Sequence, residues 1–452
     1  MHRLISPLAG AVLLSTVVWI ASGLSAAGQS LLCGTAGDDL VAARAGLTRE
    51  WVVQVPFDSA GWRLEHVSIG DDLVVACSGD GGVHAIQASP SQNGSPRAGS
   101  VLWSQRVGTP GGPLQAAGIG PQVVTVARDL DLYAFDSADG SRTWHRTLGR
   151  PPSAAAVPSG EWVYGPLSAN GVLRLPVNPV AQPGEQKDRK KDAAAPGDRP
   201  VNKPNKNVAG TSADPLLPIS LDAGGRVESA PIAYEGGVVW YTQSGLLVGV
   251  VPYSLGWKRL EFDLRSALTG PPTIRDTGIF VATEEGDLAR IDDSGQEDAP
   301  DFAAIWHVVL VARPDGSPLV SGQTVVVSLG DAGIHAFSAA TGDVLWRSCV
   351  AGRLVATTGN RVWCVDRVGR LSSLDLSTGM PGEWMCLGDF TLPLTNTVSE
   401  RLVLASPDGL VVSLAPRRTT SKLPPPLPMD DGEQPPAAAP AEEPAAEERT
   451  ET

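Results

Sequence analysis

Tryptophan recurs along this chain in one regular context, and this recurrence limits the folds that the sequence can adopt. Seven of the twelve tryptophans follow an apolar, strand-like segment and precede polar residues. They are Trp51, Trp103, Trp144, Trp257, Trp306, Trp346 and Trp384. Most successive members lie roughly 40 to 50 residues apart, which indicates repeated units of four antiparallel strands. The longer gap between Trp144 and Trp257 fits two units, one of them enlarged by an insertion.

Each unit also contains two β-rich segments joined by a tight turn. The turns contain Gly, Asp or Asn, which tolerate the positive φ of tight hairpins between right-twisted strands. Eight such hairpins occur, at residues 74–86, 124–135, 162–175, 238–250, 279–291, 325–337, 362–374 and 402–414. Eight four-stranded antiparallel units predict an all-β fold, an eight-bladed β-propeller over residues 47–416.

The first tryptophan strand and the last hairpin have no partners nearby in the sequence. Residues 47–55, which contain Trp51, precede the first full unit, and no strand follows the hairpin at 402–414. We therefore expect this N-terminal strand to complete the last blade and close the ring, which removes free sheet edges. In the third unit we expect the fourth strand at 215–221, after the insertion.

Residues 1–27 have the features of a secretory signal peptide. A short basic start precedes an apolar stretch, and Ser25, Ala26 and Ala27 offer the small residues of a cleavage site. Residues 28–46 would then be a linker. An uncleaved membrane anchor is the alternative, since about 20 apolar residues can cross a bilayer. Both interpretations predict an exported protein of the periplasm or cell envelope.

The five cysteines are consistent with export but do not define a metal site. An exported chain permits disulfides, and Cys349, Cys364 and Cys386 are close enough in sequence for one bridge. The odd total, with Cys33 and Cys77, leaves at least one thiol unpaired in a monomer. Lipidation of Cys33 is a weak alternative, because Leu32 stands where lipoprotein signals have a small residue. Without a CxxC spacing or a Cys–His cluster, zinc is not expected.

Two segments have the composition of disordered chain. Residues 180–214, within the third blade, are rich in Pro, Lys and Asp, and residues 417–452 form a Pro-, Ala- and Glu-rich acidic tail. The insertion lies between the third and fourth strands of its blade, as do the stretches at 88–100 and 292–303. All three are therefore expected on one face of the propeller. The insertion includes a basic cluster, which is either solvated or docks to anionic lipid or an acidic protein: Lys187, Arg189, Lys190 and Lys191.

Composition and motifs exclude several classes of function. A net charge of −14 argues against nucleic-acid binding, which needs a basic face. The sequence contains no phosphate-binding loop, nucleophile elbow or zinc-protease motif. We therefore predict no catalytic residue, no cofactor-binding residue and no metal-binding residue.

The histidines and aspartates are expected to have structural roles within the blades. His84 and His335 share one blade position, and His145 and His307 each follow a repeat tryptophan, whereas His66 has no equivalent. Turn aspartates commonly accept hydrogen bonds from nearby backbone amides. This role is expected for Asp80, Asp131, Asp139, Asp331 and Asp408. Calcium binding by residues 136–140 is a weak alternative, because the alternating ligands of an EF-hand loop are absent.

Three further tryptophans, Trp162, Trp240 and Trp363, lie on the first strand of their hairpins. Because burial of such a side chain contributes about 3–5 kcal/mol relative to alanine, we expect core packing. A ligand pocket at the mouth of the central channel is the alternative.

Two units resemble the PQQ-like repeat, whose pattern is Ala-x-Asp-x-x-Thr-Gly-x-x-x-Trp. Residues 134–144 read AFDSADGSRTW and residues 336–346 read AFSAATGDVLW. A third, LDLSTGMPGEW at 374–384, has one extra residue before its tryptophan. In that family the tryptophan packs between adjacent blades, and the Thr-Gly turn joins the two outer strands.

The resemblance implies a fold and two branches of function. One branch binds pyrroloquinoline quinone with calcium and acts as a dehydrogenase. The other is non-enzymatic and includes a propeller lipoprotein of the outer-membrane β-barrel assembly machinery. No Cys–Cys pair occurs here, so we expect the second branch: a monomeric protein-interaction scaffold in the cell envelope, with no cofactor. A quinoprotein dehydrogenase, or a propeller that binds a cofactor or ligand, is the alternative.

Overall fold

The computed structural model describes residues 37–90, 96–178, 219–253, 256–295, 301–392 and 394–417. Within these residues the structure is almost entirely β. A short helix, α1 (Asp39–Arg44), precedes strand β1 (Leu47–Gln54). The Asp38 carboxylate caps α1 by accepting from the Leu40 amide, and Ala42 and Ala45 pack against Met385 and Phe390. No pattern in the sequence predicted this helix.

Four sheets of four antiparallel strands follow, and we name them blades 1 to 4. Blade 1 is β2 (Leu64–Ile69), β3 (Leu73–Ser78), β4 (Gly82–Gln87) and β5 (Val101–Arg106). Blade 2 is β6 (Gly118–Ile119), β7 (Val123–Arg128), β8 (Asp131–Asp136) and β9 (Arg142–Thr147). Blade 3 is β10 (Val157–Ser159), β11 (Trp162–Leu167), β12 (Gly171–Pro176) and β13 (Ile219–Asp222). Blade 4 is β14 (Ile232–Tyr234), β15 (Gly237–Tyr241), β16 (Leu246–Tyr253) and β17 (Gly256–Asp263).

Blades 5 to 7 repeat the same strand order, and blade 8 closes the ring. Blade 5 is β18 (Thr273–Arg275), β19 (Gly278–Ala282), β20 (Asp287–Asp293) and β21 (Phe302–Val309). Blade 6 is β22 (Leu319–Ser321), β23 (Thr324–Ser328), β24 (Ile334–Ser338) and β25 (Val344–Ser348). Blade 7 is β26 (Arg353–Thr358), β27 (Arg361–Val365), β28 (Arg370–Asp375) and β29 (Pro381–Cys386). Blade 8 contains β30 (Leu402–Ala405), β31 (Leu410–Pro416) and β1.

The eight-bladed propeller and its closure by the N-terminal strand are confirmed. Strand β1 pairs antiparallel with β31, from Leu47 opposite Pro416 to Gln54 opposite Leu410. Blade 8 has three strands among the described residues, not the expected four. In the segment before β30, the Asn396 amide donates to the Val355 carbonyl of blade 7 at 2.7 Å.

The core lies between neighbouring blades. Alternate residues of each central strand point to opposite faces of its sheet, and each face packs on the next blade. Thus Val75 and Val83 of blade 1 share a cluster with Val124 and Phe135 of blade 2. No helix among the described residues is long and apolar enough to cross a membrane.

Candidate functional site

Five of the seven repeat tryptophans lock one blade to the next, as the resemblance implied. In each case the indole N–H donates to the carbonyl of the residue that directly follows the third strand of the neighbouring blade. The pairs are Trp51–Ala88 (3.0 Å), Trp103–Ser137 (3.0 Å), Trp144–Val177 (2.8 Å), Trp306–Ala339 (3.0 Å) and Trp346–Leu376 (2.8 Å). These tryptophans are therefore structural.

The other two tryptophans do not dock, so the equivalence that the sequence suggested is wrong for them. The extra residue before Trp384 shifts it by one position, and a one-residue shift turns a strand side chain to the opposite face. Trp384 is 53% exposed and stacks with the Arg370 guanidinium, while the next residue, Met385, is buried. In blade 4 it is Leu260, not Trp257, that is fully buried opposite the third strand.

Blade 3 replaces its docking tryptophan with a different arrangement. Ile219 occupies the docking position, opposite Arg174, where blades 2 and 6 have alanine opposite tryptophan. The Arg174 guanidinium carbon lies 4.2 Å from the Trp162 ring centre and 4.7 Å from that of Trp257. Trp162 is thus half-buried beside Arg174. Core packing is confirmed for Trp240 and Trp363, which are buried.

The histidines lie where the blade repeat places them. His84 and His335 are buried on the third strands, and burial lowers the pKa of each, which favours the neutral form. His145 and His307 each face the aspartate that begins the third strand of their own blade, Asp131 at 3.1 Å and Asp287 at 2.9 Å. A pair that recurs from blade to blade supports the predicted structural role.

The turn aspartates divide into two groups. Asp80 and Asp139 accept from the backbone amides of Gly82 and Ser141, as predicted. The prediction is wrong for the others, whose carboxylates contact side chains: Asp131 accepts from Thr147, Asp331 pairs with Arg367, and Asp408 pairs with Arg63. In the turn at 136–140, the Asp136 carboxylate is occupied by the amides of Ala138 and Asp139.

The state of the cysteines differs from the prediction. Cys349 and Cys364 are free thiols, as is Cys77, whereas Cys386 is disulfide-bonded. The bridge expected among Cys349, Cys364 and Cys386 is therefore absent. Cys364 is buried within β27, where burial raises its pKa to about 12, and Cys349 is exposed.

A cavity of about 490 Å³ lies on the axis of the ring, since its walls come from blades 1, 4, 5, 6 and 8. Its lining includes Asp71, Pro231, Pro272, Thr273 and Thr397. Arg275 reaches across this space, and its Nη2 donates to the carbonyls of Val320 and Thr397 at 3.3 and 3.4 Å. Arg275 thus links blade 5 to blade 6 and to the segment before β30.

These residues do not fit a site for pyrroloquinoline quinone with calcium. Calcium prefers six to eight oxygen ligands, several of them carboxylates, and Asp71 is the one acidic residue that lines the cavity. Across the described ranges, no three acidic, histidine or cysteine side chains converge to hold a metal ion.

Among the described residues, several exposed apolar side chains lie on the outer strands of blades 5 and 6 or just after β21. We call this set the apolar rim, and it consists of Ile305, Val309, Val311, Val344 and Leu345. Exposed apolar side chains of this kind offer surface to a protein partner. No sequence pattern had singled out this surface, because exposure depends on how the blades pack.

The strand order, the ring closure and the interblade tryptophans define an eight-bladed β-propeller of the PQQ-like repeat class. A family model described as "Outer membrane protein assembly factor BamB" matches residues 16–175 and 297–417, more than half of the chain. The chain belongs to this family. The predicted resemblance is confirmed.

Solved structures show the same fold. BamB from Moraxella catarrhalis superposes with a TM-score of 0.57 at 17% identity, covering 82% of this chain and 97% of that one. The computationally designed Ika8 protein gives 0.51 at 12% identity, with 78% and 95% coverage. AztD from Citrobacter koseri gives 0.50 at 9% identity, with 71% and 86% coverage. No curated protein matches the chain.

Three predicted features lie outside the described residues. They are the signal peptide or anchor at 1–27, the insertion at 180–214 with its basic cluster of Lys187, Arg189, Lys190 and Lys191, and the acidic tail from residue 418 onward.

Proposed function

We propose that this chain is a non-enzymatic propeller of the cell envelope that binds other proteins and takes part in the assembly of outer-membrane proteins. Family membership carries this proposal, because the family is described by that role. The apolar rim supports it further, since it offers a rigid exposed surface for a protein partner.

The disulfide at Cys386 supports export. Disulfides persist in oxidising compartments such as the periplasm and are rare in the cytosol. The predicted signal peptide at 1–27 points to the same compartment. We propose that the chain acts in the periplasm as a monomer. Its N-terminus is either cleaved or retained as a membrane tether. Nucleic acid is not among its partners.

Crosslinking and affinity capture from native envelopes tests the proposal. We expect an outer-membrane β-barrel protein or one of its assembly factors to be recovered with the tagged chain. A tagged periplasmic protein of similar size and charge serves as the control. Deletion of the gene should also lower the abundance of outer-membrane β-barrel proteins. Capture of the bait alone, together with unchanged barrel abundance, would contradict the proposal.

The alternative, a quinoprotein dehydrogenase, makes a different prediction. Purified protein would take up pyrroloquinoline quinone in the presence of calcium and reduce an artificial dye with an alcohol or sugar substrate. We expect neither cofactor retention after gel filtration nor dye reduction. Turnover in this assay would establish the enzyme and overturn the scaffold proposal.

A further inference from the structure

The boundary between blades 7 and 8 differs from the other boundaries of the ring. Blade 8 has three strands among the described residues, whereas every other blade has four. The connection from β29 to β30 lies beside β30 instead, and its Leu392 amide donates to the Ala405 carbonyl at 3.3 Å. A pocket of about 240 Å³ lies between β26, this connection and β30.

The walls of this pocket are mostly aliphatic and aromatic. Val355, Phe390 and Leu404 line it and are buried. Val365 and Leu392 line it as well and are only partly buried, so apolar surface remains accessible inside. An apolar cavity of about 150 Å³ is already large enough to bind a molecule such as benzene. The pocket therefore has the size and the surface to hold a small apolar group.

One basic side chain borders this apolar space. Among the described residues that line the pocket, Arg353 is the one that carries a charge. Its Nη1 donates to Thr395 Oγ1 at a long 3.5 Å, and it forms no ion pair within the described ranges. Asp366 follows the residue opposite Arg353 but pairs with Arg370 at 2.8 Å. The Arg353 guanidinium thus retains donors for an anion, and a guanidinium can hold a carboxylate through two parallel hydrogen bonds.

We propose that this pocket binds a soluble aliphatic carboxylate of medium chain length. Its chain would lie among Val355, Phe390 and Leu404, and its carboxylate would pair with Arg353. The volume sets the length: a water molecule in the liquid takes about 30 Å³ and a methylene group is of similar size, so the pocket holds about eight carbon atoms. The site does not depend on the proposed role in outer-membrane protein assembly.

A chain-length series on the purified full chain tests the ligand class. Isothermal titration calorimetry with butanoate, hexanoate, octanoate and dodecanoate should show binding that tightens about fourfold per methylene, up to about eight carbons, and then stays level. Octanol lacks the charge and should bind about tenfold more weakly than octanoate, or worse. Absence of saturable octanoate binding, or equal affinity for butanoate and octanoate, would overturn the proposal.

The variant Arg353→Met tests the charge. It keeps an apolar stem but removes the guanidinium, so it should weaken octanoate binding by about tenfold and leave octanol binding unchanged. Arg367→Met is the matched control, because Arg367 pairs with Asp331 and does not line the pocket. Equal effects of the two variants on octanoate would refute the role of Arg353.

The variant Val365→Phe tests the position of the site. The larger side chain should fill the pocket and weaken the binding of octanoate and octanol alike, by about tenfold or more. Val368→Phe is the control, since Val368 is 73% exposed and lies outside the pocket. Circular dichroism verifies that both variants fold, and if Val365→Phe does not, the comparison of Arg353→Met with Arg367→Met decides. Unchanged binding in a folded Val365→Phe variant would refute the site.

A membrane lipid offers the same combination of chain and anionic group. Sedimentation with phosphatidylglycerol vesicles distinguishes this source from a free carboxylate. Octanoate binding without cosedimentation is the expected result. Cosedimentation that depends on Arg353, without octanoate binding, would assign the pocket to a lipid and refute the proposal.

Discussion

The indole N–H of Trp51 donates to the carbonyl of Ala88 at 3.0 Å, and this bond joins the last blade of the ring to the first. Trp51 lies on β1, the strand that the N-terminus contributes to blade 8, and its side chain is only 5% exposed. The contact therefore serves ring closure as well as core packing.

Replacement of Trp51 by alanine should destabilise the propeller strongly. The change removes a buried aromatic side chain and the interblade hydrogen bond, so we expect a loss of about 3–5 kcal/mol in the free energy of unfolding. Trp384→Ala is the matched control, because Trp384 is exposed and should change stability by about 0.5 kcal/mol or less. Urea unfolding followed by circular dichroism measures both. Equal losses of stability in the two variants would show that the docking contact does not explain the effect of Trp51→Ala.

Substitution of the glycine in the Thr-Gly turn should destabilise the protein. At Gly379 φ is +71°, and an added Cβ would lie within 3 Å of the Trp346 ring. Gly379→Ala therefore combines backbone strain with a steric clash and should lose about 2–4 kcal/mol. Gly369 has a φ of +76° but open space around it. Gly369→Ala should lose only about 1–2 kcal/mol. Thermal unfolding of both variants distinguishes the cost of backbone strain from the cost of the steric clash. Equal losses of stability would show that the contact with the Trp346 ring does not matter.

Asp80 should make stability depend on pH in acid. Burial alone would raise the pKa of Asp80, but hydrogen bonds from Ser78 and Gly82 and the charge of Arg106 outweigh it and lower that pKa. Because the folded pKa is below the unfolded one, the carboxylate stabilises the fold above about pH 4 and loses this effect as the pH falls further.

The variant Asp80→Asn tests this dependence of stability on pH. Its stability deficit, about 1–3 kcal/mol at pH 7, should shrink as the pH falls below about 4. Asp408→Asn removes an exposed ion pair and should change stability by about 1 kcal/mol or less at any pH. A deficit of Asp80→Asn that stays constant down to pH 2 would refute the assignment.

The thiols should differ sharply in reactivity. Cys349 is exposed, whereas Cys77 and Cys364 are buried, and burial raises the pKa of each buried thiol to about 12. A maleimide should therefore label Cys349 alone in the native protein and all three thiols in urea. Peptide mapping identifies the labelled sites. Native labelling of Cys77 or Cys364 would contradict the described burial.

The partner of Cys386 can be identified by mass. Cys77, Cys349 and Cys364 are free, so Cys33 is the one other cysteine in the sequence. Although Cys33 lies outside the described residues, we expect a non-reducing digest to yield a linked peptide that contains Cys33 and Cys386. Reduction should release both fragments. A lipid on Cys33 would contradict this bridge.

The sequence contained enough information for the fold because the repeat is local. Tight turns such as that at Gly81, and the period of the tryptophans, depend on neighbouring residues and do not require knowledge of distant contacts. Closure by β1 could also be predicted, since one strand was missing at the end and one was unassigned at the start.

What could not be predicted depends on register and packing across the chain. One inserted residue turns Trp384 outward, and the sequence alone did not show which face it would take. In blade 3, Ile219 takes the docking position of the tryptophan, and Arg174 opposite it lies between the rings of Trp162 and Trp257 from two blades.

The pairing of β1 with β31 also sets the order of events as the chain is made. Leu47 is among the first residues of the propeller to leave the ribosome, and its partner Pro416 is among the last. Until β31 arrives, β1 has no strand to pair with, and long loop closure of this kind slows folding. An exported chain would cross the membrane N-terminus first, so its first strand would wait for the last to be translocated. Folding factors on the far side would therefore meet an open seven-bladed array before they meet a closed ring.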